Sequence, residues 1–249
     1  LVIDYSRSGE DEGAFTADDL ARLKTKPDGK RRIVLAYMSI GEAESYRFYW
    51  KRHWGWLWGL FAPSWRARHN GEWKGNFAVR YWEADWQAII LGKEGYLERI
   101  QKAGFDGVYL DKIDQFEEIG GDQEKARSEM IAFVGKIRAA ARKSDPQFLI
   151  VPQNGDELLT DPSYRAFIDG IGREDLLFGE RRSKRANNPT RVEAAIERLR
   201  LLRSENKPVL VVEYIDDRAS ITESSVRLKA AGFIPYFAER ELSGLRPPP

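Results

Sequence analysis

The sequence predicts an α/β fold, a single (β/α)8 TIM barrel over residues 1–249 with a long Trp-rich loop after the second strand. Three observations carry this. The chain has 249 residues, and one such barrel takes about 250. Short apolar, β-branched or aromatic runs alternate with amphipathic stretches, the pattern of βαβ units on a parallel sheet. A weak repeat starts at Ala103 (AGFDGVYLD), Ala166 (AFIDGIGRE) and Ala231 (AGFIPYFAE). Its step of about 64 residues is two βα units of about 32, and about eight units fill the chain.

In chain order, strands are expected at Leu1–Ser6, Ile33–Ile40, Phe77–Trp82, Gly107–Leu110, Phe148–Pro152, Gly170–Arg173, Val209–Tyr214 and Phe233–Phe237. Helices are expected at Ala17–Leu23, Tyr96–Ala103, Gln123–Lys143, Arg191–Glu205 and Ile221–Ala231. The insertion, about 42–76, opens a segment that holds all eight tryptophans (Trp50, Trp54, Trp56, Trp58, Trp65, Trp73, Trp82, Trp86) and both histidines. Most of these tryptophans read as a loop mini-core; Trp50 or Trp82 is the kind that reaches a site mouth. Pro247–Pro249 reads as a tail. The chain starts on a strand without methionine or signal peptide, so an excised or processed domain is expected.

Composition narrows the chemistry. Hydrophobic residues at 42% and charged ones at 32% suit a soluble domain, and no run reaches the roughly 18 apolar residues of a membrane helix. A net charge of +1 argues against general nucleic-acid binding. With no cysteine there is no thiolate nucleophile, thiolate metal site or disulfide. His53 and His69 alone make an imidazole triad or a hydrolytic zinc site a poor fit, so no metal and no cofactor is expected. Carboxylates remain as the main reactive groups.

In a barrel the active site lies at the C-terminal strand ends. Asp4 and Tyr5 close the first strand; Tyr37, Ser39, Glu42 and Glu44 lie in or after the second. Trp82 ends the third, Asp111 and Asp114 follow the fourth, and Gln153 and Asn154 the fifth. Glu174 and Asp175 follow the sixth; Glu213, Tyr214, Asp216 and Asp217 lie in or after the seventh, and Tyr236 and Glu239 in or after the eighth. Such a ring suits glycoside hydrolysis, where one carboxylic acid protonates the leaving oxygen and another carboxylate attacks. Each acid has a plainer reading as a cap of the next helix, and Glu42 and Glu44 as solvated loop charges.

AYMSIGEAESYRFYW, GFDGVYLDKID, VPQNGDELL, GIGREDLLFG and VVEYIDD resemble the glycoside hydrolase family 114-like TIM barrels. That family is related to endo-α-1,4-polygalactosaminidases, and some members are mislabelled cysteinyl-tRNA synthetase-related. The resemblance runs from Leu1 to about Leu245; SIGEAE and GxxGVYLDxxD are its most specific parts. It implies an extracellular or periplasmic endo-hydrolase of galactosamine-containing polysaccharide. It also implies a catalytic pair of Asp111, the nucleophile, and Glu174, the general acid. The chain departs from the family in reading VYLDKID where VDPDNVD is commoner, and in its Trp-rich insertion; both bear on substrate. The expected binding residues are Asp4, Tyr5, Tyr37, Ser39, Glu42, Trp82, Asp114, Gln153, Asn154, Glu213, Tyr214 and Tyr236, with a polysaccharide or oligosaccharide as partner. The alternative is a carbohydrate-binding barrel without catalysis.

Overall fold

The computed structural model describes residues 1–55, 62–179 and 185–242. Trp56, Trp58 and the Pro247–Pro249 tail therefore lie outside the described residues. The chain divides into two compact units, Leu1–Ile150 and Val151–Pro249.

In the first unit, β1 (Val2–Asp4) leads through α1 (Ala17–Lys24) to β2 (Leu35–Ser39). Thr16 caps α1 in a full capping box with Asp19. A short antiparallel ribbon follows, with β3 (Glu42–Glu44), β4 (Arg66–His69) and β5 (Asn76–Val79) in the order β3-β5-β4. Helices α2 (Ala84–Leu91) and α3 (Tyr96–Ala103) then carry the chain to β6 (Gly107–Asp111). The short α4 (Gln115–Glu118) and the long α5 (Gln123–Ser144) precede β7 (Leu149–Pro152). The sheet order is β1-β2-β6-β7, with β1 and β6 both parallel to β2.

The expected third strand, Phe77–Trp82, is a correction. Its first half, Phe77–Val79, lies in β5 and pairs antiparallel within the ribbon, Arg80–Trp82 lie beyond the strand, and β6 takes the place beside β2. A parallel return needs a crossover of a dozen or more residues, usually a helix. Among the described residues between β2 and β5 there is no α-helix, so the chain doubles back; the helical crossover comes later, in α2 and α3.

Local chemistry fixes the sheet. Gly104 ends α3 in the left-handed region at φ 96°. A Cβ on Gly107 would lie 2.4 Å from the Leu149 carbonyl oxygen, so only glycine lets β6 start beside Leu149. Asp106 accepts from the Val34 N–H at 2.8 Å and pairs with Lys24 and Arg31 at 2.7 and 2.6 Å. The core gathers Val34, just before β2, and Met38, Val108 and Leu110 from the strands with Met130, Phe133, Val134 and Ile137 from α5, all buried; each such side chain contributes about 1.5–3 kcal/mol.

In the second unit, α6 (Pro162–Phe167) precedes β8 (Ile171–Glu174), α7 (Pro189–Ser204) precedes β9 (Val209–Glu213), and α8 (Arg218–Ala230) precedes β10 (Ile234–Phe237). The three strands run parallel in the order β10-β9-β8, and Gln153 bridges Gly172 in parallel. Asn188 and Asp217 cap α7 and α8. For Asp217 the plain capping reading therefore holds.

Candidate active site

In the first unit the register aligns Asp4, Tyr37 and Tyr109 in one row and Ser39 with Asp111 in another. Because side chains alternate along a strand, Tyr37 and Asp111 share a face. The Tyr37 hydroxyl donates to Asp111 Oδ2 at 2.5 Å. Burial pushes the Asp111 carboxyl up; the Tyr37 hydroxyl and the Lys112 backbone N–H hold it part of the way down.

Beside this pair sits a buried cation. Arg47 is 2% exposed and reaches Glu44 at 2.6 Å through Nε and Asp4 at 2.7 Å through Nη1. The Tyr46 hydroxyl donates to Glu44, and the Arg47 guanidinium lies over the rings of Tyr46, Tyr96 and Tyr37 at 4.7, 5.6 and 5.8 Å. Burial pushes the Glu44 carboxyl up against the pull of Arg47.

Three expected residues are committed to structure here. Tyr5 is 1% exposed, donates to Asp11 at 3.1 Å and packs edge-on against Tyr96. Glu42, 3% exposed, binds the Asn70 and Asn76 amides at 2.8 and 3.4 Å and Lys112 Nζ at 3.5 Å, which ties the ribbon to the exit of β6. Ser39 accepts from the Glu42 N–H. Asp114 is half-buried, with its charge near Lys112. Trp82 is half-buried against Tyr81.

The tryptophans form a chain of contacts. Trp50 stacks on Phe77 at 4.9 Å, then meets Trp54, which meets Trp65, which meets Trp86. Trp73 stands apart, 55% exposed.

In the second unit, the Tyr214 hydroxyl donates to Glu174 Oε1 and the Gln153 amide donates to Oε2. The Asn154 side-chain oxygen accepts from the Glu174 N–H and from Arg173, both at 3.1 Å. Asp175 pairs with Arg240 at 2.6 Å. Glu213 is fully buried, and both its oxygens accept backbone N–H groups, from Leu177 at 2.7 Å and Phe178 at 3.2 Å. Burial pushes Glu213 up to about 7. Its place is thus under the loop after β8. Tyr236 is half-buried at the end of β10.

A backbone signature marks these exits. Lys112, Asn154 and Asp175 have φ of 59°, 60° and 51°. Each directly follows a residue singled out above: Asp111, Gln153 or Glu174. Non-glycine residues seldom take this conformation, and where they do it is concentrated at functional sites. Sequence reasoning missed Arg47, Tyr46 and Arg240. An arginine among aromatics in ESYRFYW was the available signal for Arg47; for Arg240, 65 positions from Asp175, there was none.

Among the described residues, no group of three or more His, Asp or Glu is placed to hold a metal ion, and no helix is long and apolar enough to cross a membrane. Parallel strands alternating with helices, with hydrogen-bonded carboxylates at strand C-terminal ends, define an α/β protein with acids gathered at its strand exits. The chain belongs to glycoside-hydrolase family GH114, whose profile matches residues 2–247. It is 43% identical over 219 residues to an uncharacterized protein of Deinococcus radiodurans, covering 86% of this chain and 66% of that protein. It is 38% identical to the uncharacterized protein MJ1477 of Methanocaldococcus jannaschii, covering 98% and 71%. The chain thus spans about two thirds of the length of these relatives. In fold it is similar to the glycoside hydrolase domain of PelA from Pseudomonas aeruginosa, with a TM-score of 0.72 at 18% identity over 98% of this chain and 88% of that one.

Proposed function

We propose that this chain hydrolyses glycosidic bonds of a polysaccharide on a (β/α)8-type scaffold, with Asp111 and Glu174 as its working carboxylates. The observation that carries the reading is the matched treatment of these two strand-end acids: each accepts a hydrogen bond from the hydroxyl of a tyrosine on a neighbouring strand or its exit. In the first step the Asp111 carboxylate attacks the anomeric carbon while Glu174 gives its proton to the departing oxygen. In the second, water attacks that carbon, Glu174 takes the water's proton, and Asp111 leaves. The reading includes endo-action on galactosamine-containing chains, retention of configuration, and an extracellular or periplasmic setting.

A specific observation favours a second division of roles. Both Glu174 oxygens accept hydrogen bonds, which favours the carboxylate, whereas Asp111 is pushed toward the acid. Glu174 is then the nucleophile and Asp111 the acid.

One experiment separates the readings. A glycan screen finds the substrate, NMR follows the first-formed anomer, and azide is added to Asp111→Ala and Glu174→Ala. In a retaining enzyme, azide rescue of the nucleophile variant gives a glycosyl azide of inverted configuration, and rescue of the acid variant one of retained configuration. An inverted first product makes the base act through water. Binding with no turnover by the unmodified chain leaves a carbohydrate-binding barrel, and full activity in either alanine variant removes the pair.

A further inference from the structure

We propose that Arg240 is a positioning residue for Glu174, holding the Tyr214 ring so that its hydroxyl stays on the Glu174 carboxylate. The inference rests on the reading of Glu174 as a working carboxylate.

The Arg240 guanidinium lies 4.4 Å from the centre of the Tyr214 ring, within the range of cation–π attraction. Its Nη2 is fixed by Asp175 at 2.6 Å. Asp175 is itself pinned: its N–H donates to the Val212 carbonyl at 3.0 Å, and its carbonyl accepts from the Asn187 amide at 2.8 Å. The loop then closes on the ion pair through Gly179 at φ 93°, where a Cβ would come within 2.5 Å of Asp175 Oδ1 and 3.5 Å of Arg240 Nη2. A flat cation is thus clamped by the residue after Glu174 onto the tyrosine that donates to Glu174. Tyr214 is 7% exposed but lies just past the end of β9. Arg240, at 44% side-chain exposure, is the surface-facing member of the stack.

The groups that face Glu174 come from several elements. Arg173 and Asp175 flank it, and Gln153 and Asn154 reach it from the exit of β7. Asp156 pairs with Arg173 at 3.2 Å, Glu213 ends β9 and Tyr214 follows it, and Arg240 follows β10. Burial lowers Arg240, but the hydrogen bond and charge of Asp175, then the charges of Tyr214 and Glu174, more than offset it. Loss of Arg240 therefore removes both a nearby positive charge and the hold on a hydrogen bond to the ionised carboxyl. Both losses raise the pH at which Glu174 takes a proton.

The test reads Glu174 directly. The full chain is labelled with carboxyl-13C glutamate, and the Glu174 signal is assigned by its loss in Glu174→Gln. Arg240→Met and Tyr214→Phe each move the Glu174 midpoint up by about half to one pH unit. The double variant moves it by less than the two single shifts combined, because Arg240 acts in part through Tyr214. Arg240→Gln repeats the measurement if Arg240→Met does not fold. An unmoved midpoint, or full additivity, overturns the proposal. Where the chain turns over a glycoside, kcat/KM of Arg240→Met falls about three- to tenfold, and the Glu174 limb of its pH profile shifts upward. A chain without turnover that shows the NMR shifts fails as a hydrolase and keeps the Arg240 inference, so the two failures are told apart.

Discussion

Asp111 and Glu174 end parallel strands in different units, and the tyrosines that serve them come from opposite sides of the register. Asp111 pairs with Ser39, and its donor Tyr37 lies two residues earlier, inside β2. Glu174 pairs with Val212, and its donor Tyr214 lies two residues later, beyond β9. One carboxylate is propped from within the sheet and the other from the exit loops. Among the described residues, only the latter takes a second side-chain donor, Gln153. The first unit spends its extra polar groups elsewhere, on a buried arginine with two acids. The second spends them on the loop that carries Asp175. The difference teaches where each site is vulnerable: Asp111 through the packing beneath it, Glu174 through the loops above it.

The sharpest break of this comparison is to neutralise each acid in turn. Asp111→Asn and Glu174→Gln keep shape and most hydrogen bonds but remove charge and basicity. Each lowers kcat by about 10²–10⁴-fold, measured on the substrate found in the glycan screen. An effect in only one of them ends the pairing.

Next comes the buried cation. Arg47→Met leaves Glu44 and Asp4 without their counter-charge, and breaking such a pair costs about 3–5 kcal/mol. Thermal and urea unfolding of the variant measure it. Because Glu44 is buried, part of the loss returns at low pH, where Glu44 is protonated. A variant as stable as the parent at neutral pH removes Arg47 from the account of the first unit.

How far these features were legible follows from their range in sequence. The parallel strands and α3 were readable because β-branched runs and an amphipathic period act locally. Helix α2 was missed because ADWQAIIL is apolar nearly all round and shows no polar face. The misplacement of Phe77–Trp82 has the same root, since an antiparallel ribbon strand and a parallel barrel strand share one local pattern. At the site, Asp111 and Glu174 stood out as strand ends, and the family resemblance singled them out as a pair. That Tyr5, Glu42 and Glu213 would be committed to structure was not readable, because their partners Asp11, Asn70 and Leu177 are chosen by packing.

Glu213 yields a pH test of the second unit. An acid whose folded value is raised is protonated in the native chain while still ionised in the unfolded one. Between pH 4.5, its ordinary value, and about 7, the folded chain holds the extra proton. Stability therefore falls as pH rises through that window, by roughly 3 kcal/mol. Glu213→Gln flattens this part of the stability curve, measured by urea unfolding at pH 4.5, 6 and 7.5. A parent curve already flat there assigns Glu213 an ordinary carboxyl.

The smallest effects separate the two tyrosines. A hydrogen bond to a charged group contributes about 1.5–3 kcal/mol, so Tyr37→Phe lowers kcat/KM by about ten- to a hundredfold. Among the described residues Tyr37 is the side-chain donor to Asp111, and it stands inside β2. Tyr214→Phe removes a bond of the same kind, but Gln153 still holds the other oxygen of Glu174. Its effect is smaller, about three- to tenfold. Adding Gln153→Leu to Tyr214→Phe brings the loss up to that of Tyr37→Phe, since both of these bonds to the Glu174 carboxylate are then removed. If Tyr214→Phe alone costs as much as Tyr37→Phe, the amide is no substitute for the phenol, and the asymmetry between the two units is one of geometry and not of function.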